Sequence, residues 1–96
     1  MKKSNDQRLG DAIRELIETY QIKGKLDEVK LISSWEKVTG KVIVKHTKDI
    51  FIKNRKLYIK LDSPALKNEL MYARSTLLES LNNEAGSVVI DEIVIL

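Results

Sequence analysis

Basic side chains are concentrated in the middle of this 96-residue sequence. Between residues 37 and 60 there are seven lysines and one arginine against a single acid, Asp49, so this stretch has a net charge of +7. The residues before it sum to zero and those after it to −4, which makes the stretch a distinct local field. Such a field is typical of phosphate contact, and an ordinary solvated lysine face is the alternative. The basic residues are Lys37, Lys41, Lys45, Lys48, Lys53, Arg55, Lys56 and Lys60.

Two aromatic residues, Phe51 and Tyr58, lie inside this basic stretch. If residues 54–55 form a two-residue turn, counting outward places Phe51 opposite Tyr58. Side chains alternate between the faces of a strand, so one face is apolar and the other carries both rings among lysines. That is the arrangement of a single-stranded nucleic-acid platform. The alternative is that both rings pack beneath the first helix as a structural pair. The flanking lysines are Lys53, Lys56 and Lys60.

A second group of lysines precedes this hairpin. Lys37, Lys41 and Lys45 are spaced four apart, so on a helix they form one basic row. A row of this kind suits contact with a phosphate backbone, which is largely independent of base sequence.

Residues that could support catalysis or metal binding are few. His46 is the only histidine and there is no cysteine, which argues against a metal site. We expect His46 to end a short helix, where its ring meets exposed carbonyls. The acidic pairs 27–28 and 91–92 are adjacent and point to different faces, and no serine has an identifiable base. We therefore predict no catalytic residue, no metal and no cofactor.

The composition indicates one soluble globular domain spanning residues 1–96, with residues 1–6 flexible. Hydrophobic residues make up 43% and charged residues 32% of the chain, a balance that differs from that of disordered chains. No apolar run approaches the ~20 residues needed to cross a bilayer. We expect a cytoplasmic protein without membrane contact.

Helical periodicity dominates the first half. An apolar stripe from Leu9 to Tyr20 predicts a helix that starts at residues 5–6 and ends near Gly24. A second stripe, Leu31–Trp35–Val38–Val42, crosses Gly40, and we expect a break there, with helices at about 26–38 and 40–46. Trp35 is expected to anchor the core. The predicted structural positions are Trp35, Val38, Gly40, Leu57, Ile59 and Leu70.

The period then changes to twofold. Residues 49–53 and 56–61 predict two strands, and Ser63-Pro64 predicts the start of a helix that ends at residues 82–86. Residues 87–96 form a nearly continuous apolar run, which predicts a last strand that is central or buried on both sides. A strand, a crossover helix and a returning strand favour parallel pairing. The predicted fold class is α+β, with one mixed three-stranded sheet covered by helices.

The same residues resemble a known family. Residues 35–40 and 42–47 resemble the W-x-x-V-x-G…H-T core of the bacterial DciA-like proteins. Residues 57–63 resemble the family's L-x-V-x-V-x-S strand, and Glu69-Leu70 and Leu81-Asn82 resemble its E-L and L-N marks. The likeness extends over about residues 9–96.

This resemblance implies a KH-like domain that binds DNA and assists or loads the replicative helicase. The second tryptophan that many members carry is absent from residues 63–66, and no two glycines form the G-x-x-G grip of a true KH domain. Longer members also have a tail engaged in partner contact, so a chain ending at Leu96 is expected to load helicase poorly or differently.

The predicted partners follow from these observations. We expect DNA, with RNA as the alternative nucleic acid, and a replicative helicase as the protein partner. A pure protein-interaction module without nucleic-acid affinity is a second hypothesis. Exposed sheet edges are compatible with a monomer or a weak dimer.

Overall fold

A computed structural model describes residues 2–96, and the side chains of residues 8–96 apart from Ile17 and Tyr20. The first element is one continuous helix, α1 (Lys2–Ser33). The helix end predicted at Gly24 is wrong, because a glycine costs only about 1 kcal/mol in a helix interior. The expected flexibility of residues 1–6 stays a prediction.

The helix α1 extends far beyond the rest of the chain. At about 1.5 Å per residue, its 32 residues account for most of the molecule's longest dimension of 67 Å. Every described side chain from Arg8 to Leu26 is exposed, whereas Leu31 is fully buried. Only the last turns of α1 therefore pack into the core. Among the residues that the structure describes, no helix is both long and apolar enough to cross a membrane.

Two short helices, α2 (Trp35–Thr39) and α3 (Lys41–Lys45), follow α1. The break predicted at Gly40 is confirmed, and this residue has a φ of +93° that only glycine adopts readily. The break redirects the chain, so α3 buries Ile43 and leaves Val42 exposed, contrary to the predicted stripe. The helix predicted over residues 26–38 is also divided, at Ser34 between α1 and α2. The Ser34 hydroxyl donates to the Leu31 carbonyl oxygen at 2.6 Å.

Strands β1 (Thr47–Lys53) and β2 (Lys56–Leu61) form an antiparallel hairpin. Asn54 and Arg55 have φ of 52° and 61°, which makes a type I′ turn. The predicted register is confirmed over all five pairs from Lys53–Lys56 to Asp49–Lys60. The backbone N–H of Ile50 donates to the carboxylate of Asp49 at 2.9 Å.

The helix predicted after β2 begins as expected but is divided in two, α4 (Pro64–Tyr72) and α5 (Arg74–Ala85). Ser63 caps α4 by accepting from the Leu66 N–H, and Pro64 occupies the first helical position. At Ala73 the backbone N–H is shared between the carbonyl oxygens of Glu69 and Leu70, which marks the division. Gly86 ends α5 with a left-handed φ of 82°.

The last strand, β3 (Glu92–Ile95), is shorter than predicted because Asn82 holds the preceding backbone. The Asn82 side-chain oxygen accepts from the N–H groups of Val89 and Ile90, and its amide donates to the Ile90 carbonyl oxygen. Those backbone groups are therefore unavailable to the sheet.

The sheet is mixed, as predicted, with the strand order β1-β2-β3. β3 pairs parallel with β2, which confirms the crossover. The central strand is β2, however, so the prediction of a central β3 is wrong. Buried side chains from the helices and from one sheet face form a single core, which includes Leu31, Trp35, Leu57, Ile59, Leu81 and Ile90. The fold is thus α+β with helices packed on one face of the sheet.

Candidate nucleic-acid interface

The other face of the sheet, which we call the open face, carries three rows of side chains set by the strand register. One row is Lys53–Lys56–Glu92, the next is Phe51–Tyr58–Val94, and Asp49–Lys60 form the third. Phe51 and all the charged residues of these rows are exposed, while Tyr58 and Val94 are half-buried. An apolar row therefore crosses the sheet between two charged rows.

Phe51 and Tyr58 stack directly on each other. Their ring centroids are 4.9 Å apart and their planes differ by only 10°, which is an offset-stacked arrangement. The two rings lie on the face opposite the core, so they do not pack beneath the first helix. The pair lies on the open face as one stacked aromatic unit.

Four of the eight basic residues of the 37–60 stretch are held in ion pairs. Their partners all come from the acidic last third of the sequence, which the fold brings back onto the basic stretch. This pairing reduces the local positive charge well below +7. The pairs are Lys37–Glu84 at 3.0 Å, Lys48–Asp62 at 3.2 Å, Arg55–Asp91 at 2.8 Å and Lys56–Glu92 at 3.4 Å.

Arg55 fixes the hairpin turn to the segment before β3. Its guanidinium donates to both carboxylate oxygens of Asp91, at 2.8 and 3.0 Å, and to the Val88 carbonyl oxygen at 3.2 Å. These hydrogen bonds raise the pKa of Arg55 and lower the pKa of Asp91. Because a left-handed φ is unfavourable for arginine, this bidentate contact is well placed to support the turn. The charge of Arg55, which the sequence analysis predicted to contact phosphate, is thus paired with Asp91 within the protein.

His46 and Lys48 converge on Asp62. The His46 ring nitrogen Nδ1 lies 2.7 Å from Asp62 Oδ1, and Lys48 Nζ lies 3.2 Å from Oδ2. The hydrogen bond with His46, followed by that with Lys48, holds the pKa of the Asp62 carboxyl below its usual value. His46 does end α3, but its ring meets this carboxylate and not the helix carbonyls that the sequence suggested.

The four remaining basic residues have no acidic partner within the part of the chain that the structure describes. Lys53 and Lys60 lie on the open face, in the two charged rows on opposite sides of the aromatic row. Lys41 and Lys45 share α3 four residues apart. The single row predicted for Lys37, Lys41 and Lys45 is not formed, because Gly40 separates α2 from α3.

Five of the six predicted structural positions are fully or partly buried. Trp35, Leu57, Ile59 and Leu70 are buried, and Val38 is partly buried against them. Gly40 is exposed, so its role is in the backbone and not in the core.

Sequence reasoning missed the acidic partners of the basic residues. Glu84, Asp62, Asp91 and Glu92 are distant in sequence from their partners, and no local pattern pairs them. Val94 could have been predicted as a residue of the open face, because parallel pairing of the last strand with β2 places one residue of that strand beside Tyr58. For Asn82, the only indication in the sequence was its place in the Leu81-Asn82 pair that resembles the family's L-N mark.

Comparisons with known proteins show which family the chain resembles. Neither the curated proteins nor the solved structures gave a match, so the KH-like character implied by the resemblance stays a prediction. The profile of the family described as "Dna[CI] antecedent, DciA" matches residues 8–95. That match spans nearly all of the sequence and includes every element that builds the open face. The chain belongs to the DciA family.

Proposed function

We propose that the protein is a non-catalytic accessory factor of DNA replication, which binds DNA and assists the replicative helicase in the cytoplasm. The family match over residues 8–95 supports the helicase part. The observation that carries the DNA part is the position of Lys53 and Lys60 on the open face, both without an acidic partner among the described residues. Lys41 and Lys45 on α3 add two further charges of the same kind.

The ion pairing divides the basic residues by their expected contribution. A lysine already paired with a carboxylate must lose that partner before it binds phosphate, so Lys37, Lys48 and Lys56 contribute less than unpaired lysines. Four lysines have no acidic partner among the described residues, namely Lys41, Lys45, Lys53 and Lys60. If each displaces one counterion, the logarithm of the association constant for single-stranded DNA should fall with the logarithm of the salt concentration with a slope of about −3. Contacts of this kind position a strand without reading its sequence.

A pair of matched charge reversals tests DNA binding. Lys53→Glu with Lys60→Glu removes the open-face charges, and Arg8→Glu with Arg14→Glu makes the same charge change on the exposed start of α1. Measured by fluorescence anisotropy at low salt, the first variant should lose binding and the second should retain it. Equal behaviour of the two variants, or no binding by the natural sequence, overturns the proposal. Parallel titrations with RNA of equal length decide between the nucleic acids.

A protein contact through α1 is favoured by a separate observation. Leu9, Ile13 and Leu16 follow one helical face and are 64%, 51% and 55% exposed. Residues 8–30 contain five basic and five acidic side chains, so this part of the helix has no net charge to attract phosphate. An exposed apolar face of this kind is typical of a protein interface. We propose the replicative helicase as its occupant.

Co-purification with the replicative helicase tests this second surface. Ile13→Glu with Leu16→Glu places charge on the apolar face, whereas Thr19→Glu with Gln21→Glu adds the same charge beside it. The first variant should lose the helicase and keep its affinity for DNA, and the second should keep both. Retention of the helicase by the first variant rules out α1 as the docking helix.

A further inference from the structure

The stacking of Phe51 on Tyr58 leaves each ring with only one free face. The second face of Tyr58 points toward β3, where Val94 is its register partner, and Tyr58 is half-buried. The second face of Phe51 points away from β2, toward the outer edge of β1, which has no neighbouring strand among the described residues. Phe51 keeps 39% of its surface exposed. The aromatic unit is therefore open on one side, at the outer edge of β1.

The charges beside Phe51 are not symmetric. Lys53 lies two residues further along the same face of β1, at about 7 Å given the rise per residue of a strand. Asp49 lies two residues in the other direction on that face. Along β1, a phosphate beside Phe51 is attracted toward Lys53 and repelled by Asp49, while Lys60, the register partner of Asp49, lies one strand inward on β2. The site has a polarity that a general basic patch lacks.

We propose that one unpaired base of single-stranded DNA stacks on the outer face of Phe51, with its phosphate directed toward Lys53. This inference rests on the proposed DNA binding and assigns its ligand class. Tyr58 acts as a positioning residue, because it holds the Phe51 ring from behind and fixes its orientation. In a duplex the base faces are covered, and exposing one requires unstacking. The site accordingly prefers single strands and tolerates any base.

Substitution at Phe51 tests the stacking contact directly. The probe is an oligothymidylate of about 12 nucleotides, within the range of single-strand site sizes, with one central 2-aminopurine whose fluorescence reports stacking. Phe51→Leu should weaken binding of this probe by about 5- to 150-fold, the equivalent of 1–3 kcal/mol for one base–aromatic stack. Its affinity for a duplex of equal length should be unchanged.

Two further variants complete the experiment. Phe51→Trp retains a ring and should restore binding, with stronger quenching of 2-aminopurine. Tyr58→Phe retains the internal stack and should bind as the natural sequence does. If Phe51→Leu binds the single strand normally while Lys53→Glu with Lys60→Glu does not, stacking is wrong and phosphate binding stands. If the natural sequence binds no DNA, both proposals fail together.

Discussion

The indole Nε1 of Trp35 donates a hydrogen bond to the Thr47 hydroxyl at 3.1 Å, and this hydroxyl donates to the Ile43 carbonyl oxygen at 2.6 Å. Trp35 is only 4% exposed, so its N–H depends on a protein partner. One hydroxyl thus joins the start of α2, the middle of α3 and the first residue of β1.

Thr47→Val keeps the shape of this side chain and removes the hydroxyl. The buried indole N–H of Trp35 then lacks an acceptor, so the free energy of unfolding should fall by about 1–3 kcal/mol. Urea denaturation followed by tryptophan fluorescence measures the change. Thr47→Ser retains the hydroxyl, so its free energy of unfolding should fall by less. Equal decreases in the two variants would contradict this role of the hydroxyl.

Two glycines should respond in opposite ways to the same substitution. Gly24→Ala should stabilise the protein by about 1 kcal/mol, because Gly24 lies inside α1 with open space around it. Gly40→Ala should destabilise it by about 1–3 kcal/mol, because Gly40 has φ +93° and ψ 170°, a region almost restricted to glycine. Thermal unfolding distinguishes them, and a shift of the same sign in both would be inconsistent with these backbone roles.

Acid should destabilise the protein through Asp62 and Asp91. The pKa of each carboxyl is lowered in the folded state, Asp62 by His46 and Lys48 and Asp91 by Arg55. The unfolded chain therefore binds more protons, so the stabilisation is present above the ordinary aspartate pKa, near 4, and is lost as pH falls through the lowered values. Both groups are well exposed, so the effect is small.

A variant that neutralises both carboxylates isolates that effect. Asp62→Asn with Asp91→Asn should flatten the fall in unfolding free energy between about pH 5 and pH 2. Asp11→Asn with Glu15→Gln on the exposed part of α1 is the matched control. Parallel pH profiles for the two variants, measured by urea denaturation, would refute the assignment.

Asp49→Asn should strengthen DNA binding if the open face is the binding surface. Asparagine keeps an oxygen that can accept from the Ile50 N–H and loses the negative charge beside Phe51. A phosphate drawn from Phe51 toward Lys53 lies about 7 to 13 Å from Asp49 along the strand. The repulsion between that phosphate and Asp49 in water is then about 0.3–0.6 kcal/mol, or about 1.7- to 2.7-fold in affinity. The gain should vanish in high salt. Asp11→Asn is the control, and an equal gain there would show that only total charge matters.

The hairpin is the part of the fold that the sequence predicts best, because its geometry is local. A two-residue turn at Asn54-Arg55 determines every pair by counting, and the alternation of strands then places Phe51 beside Tyr58. The break at Gly40 is similarly local. Gly24 shows the limit of such reasoning, since a small local penalty does not end a helix that continues into the core at Leu31.

The electrostatic part of the site depends on contacts that are distant in sequence. Lys37 and Glu84 are separated by 47 positions and Arg55 and Asp91 by 36, so no local pattern identifies these pairs. The sequence therefore locates the basic stretch but overstates its free charge. The late start of β3 has the same origin, because it depends on a side chain of α5, Asn82, that binds the backbone of the next segment.

The hydrogen bond between the Ile50 N–H and the Asp49 carboxylate also affects how the protein behaves in a crowded solution. β1 is an edge strand, and the free N–H groups of such strands template the addition of strands from other molecules. Asp49 already occupies one of these groups and places a negative charge beside it. An incoming strand would have to displace that carboxylate and bury its charge. The chain thus protects its outer edge against aggregation while leaving the neighbouring ring of Phe51 accessible.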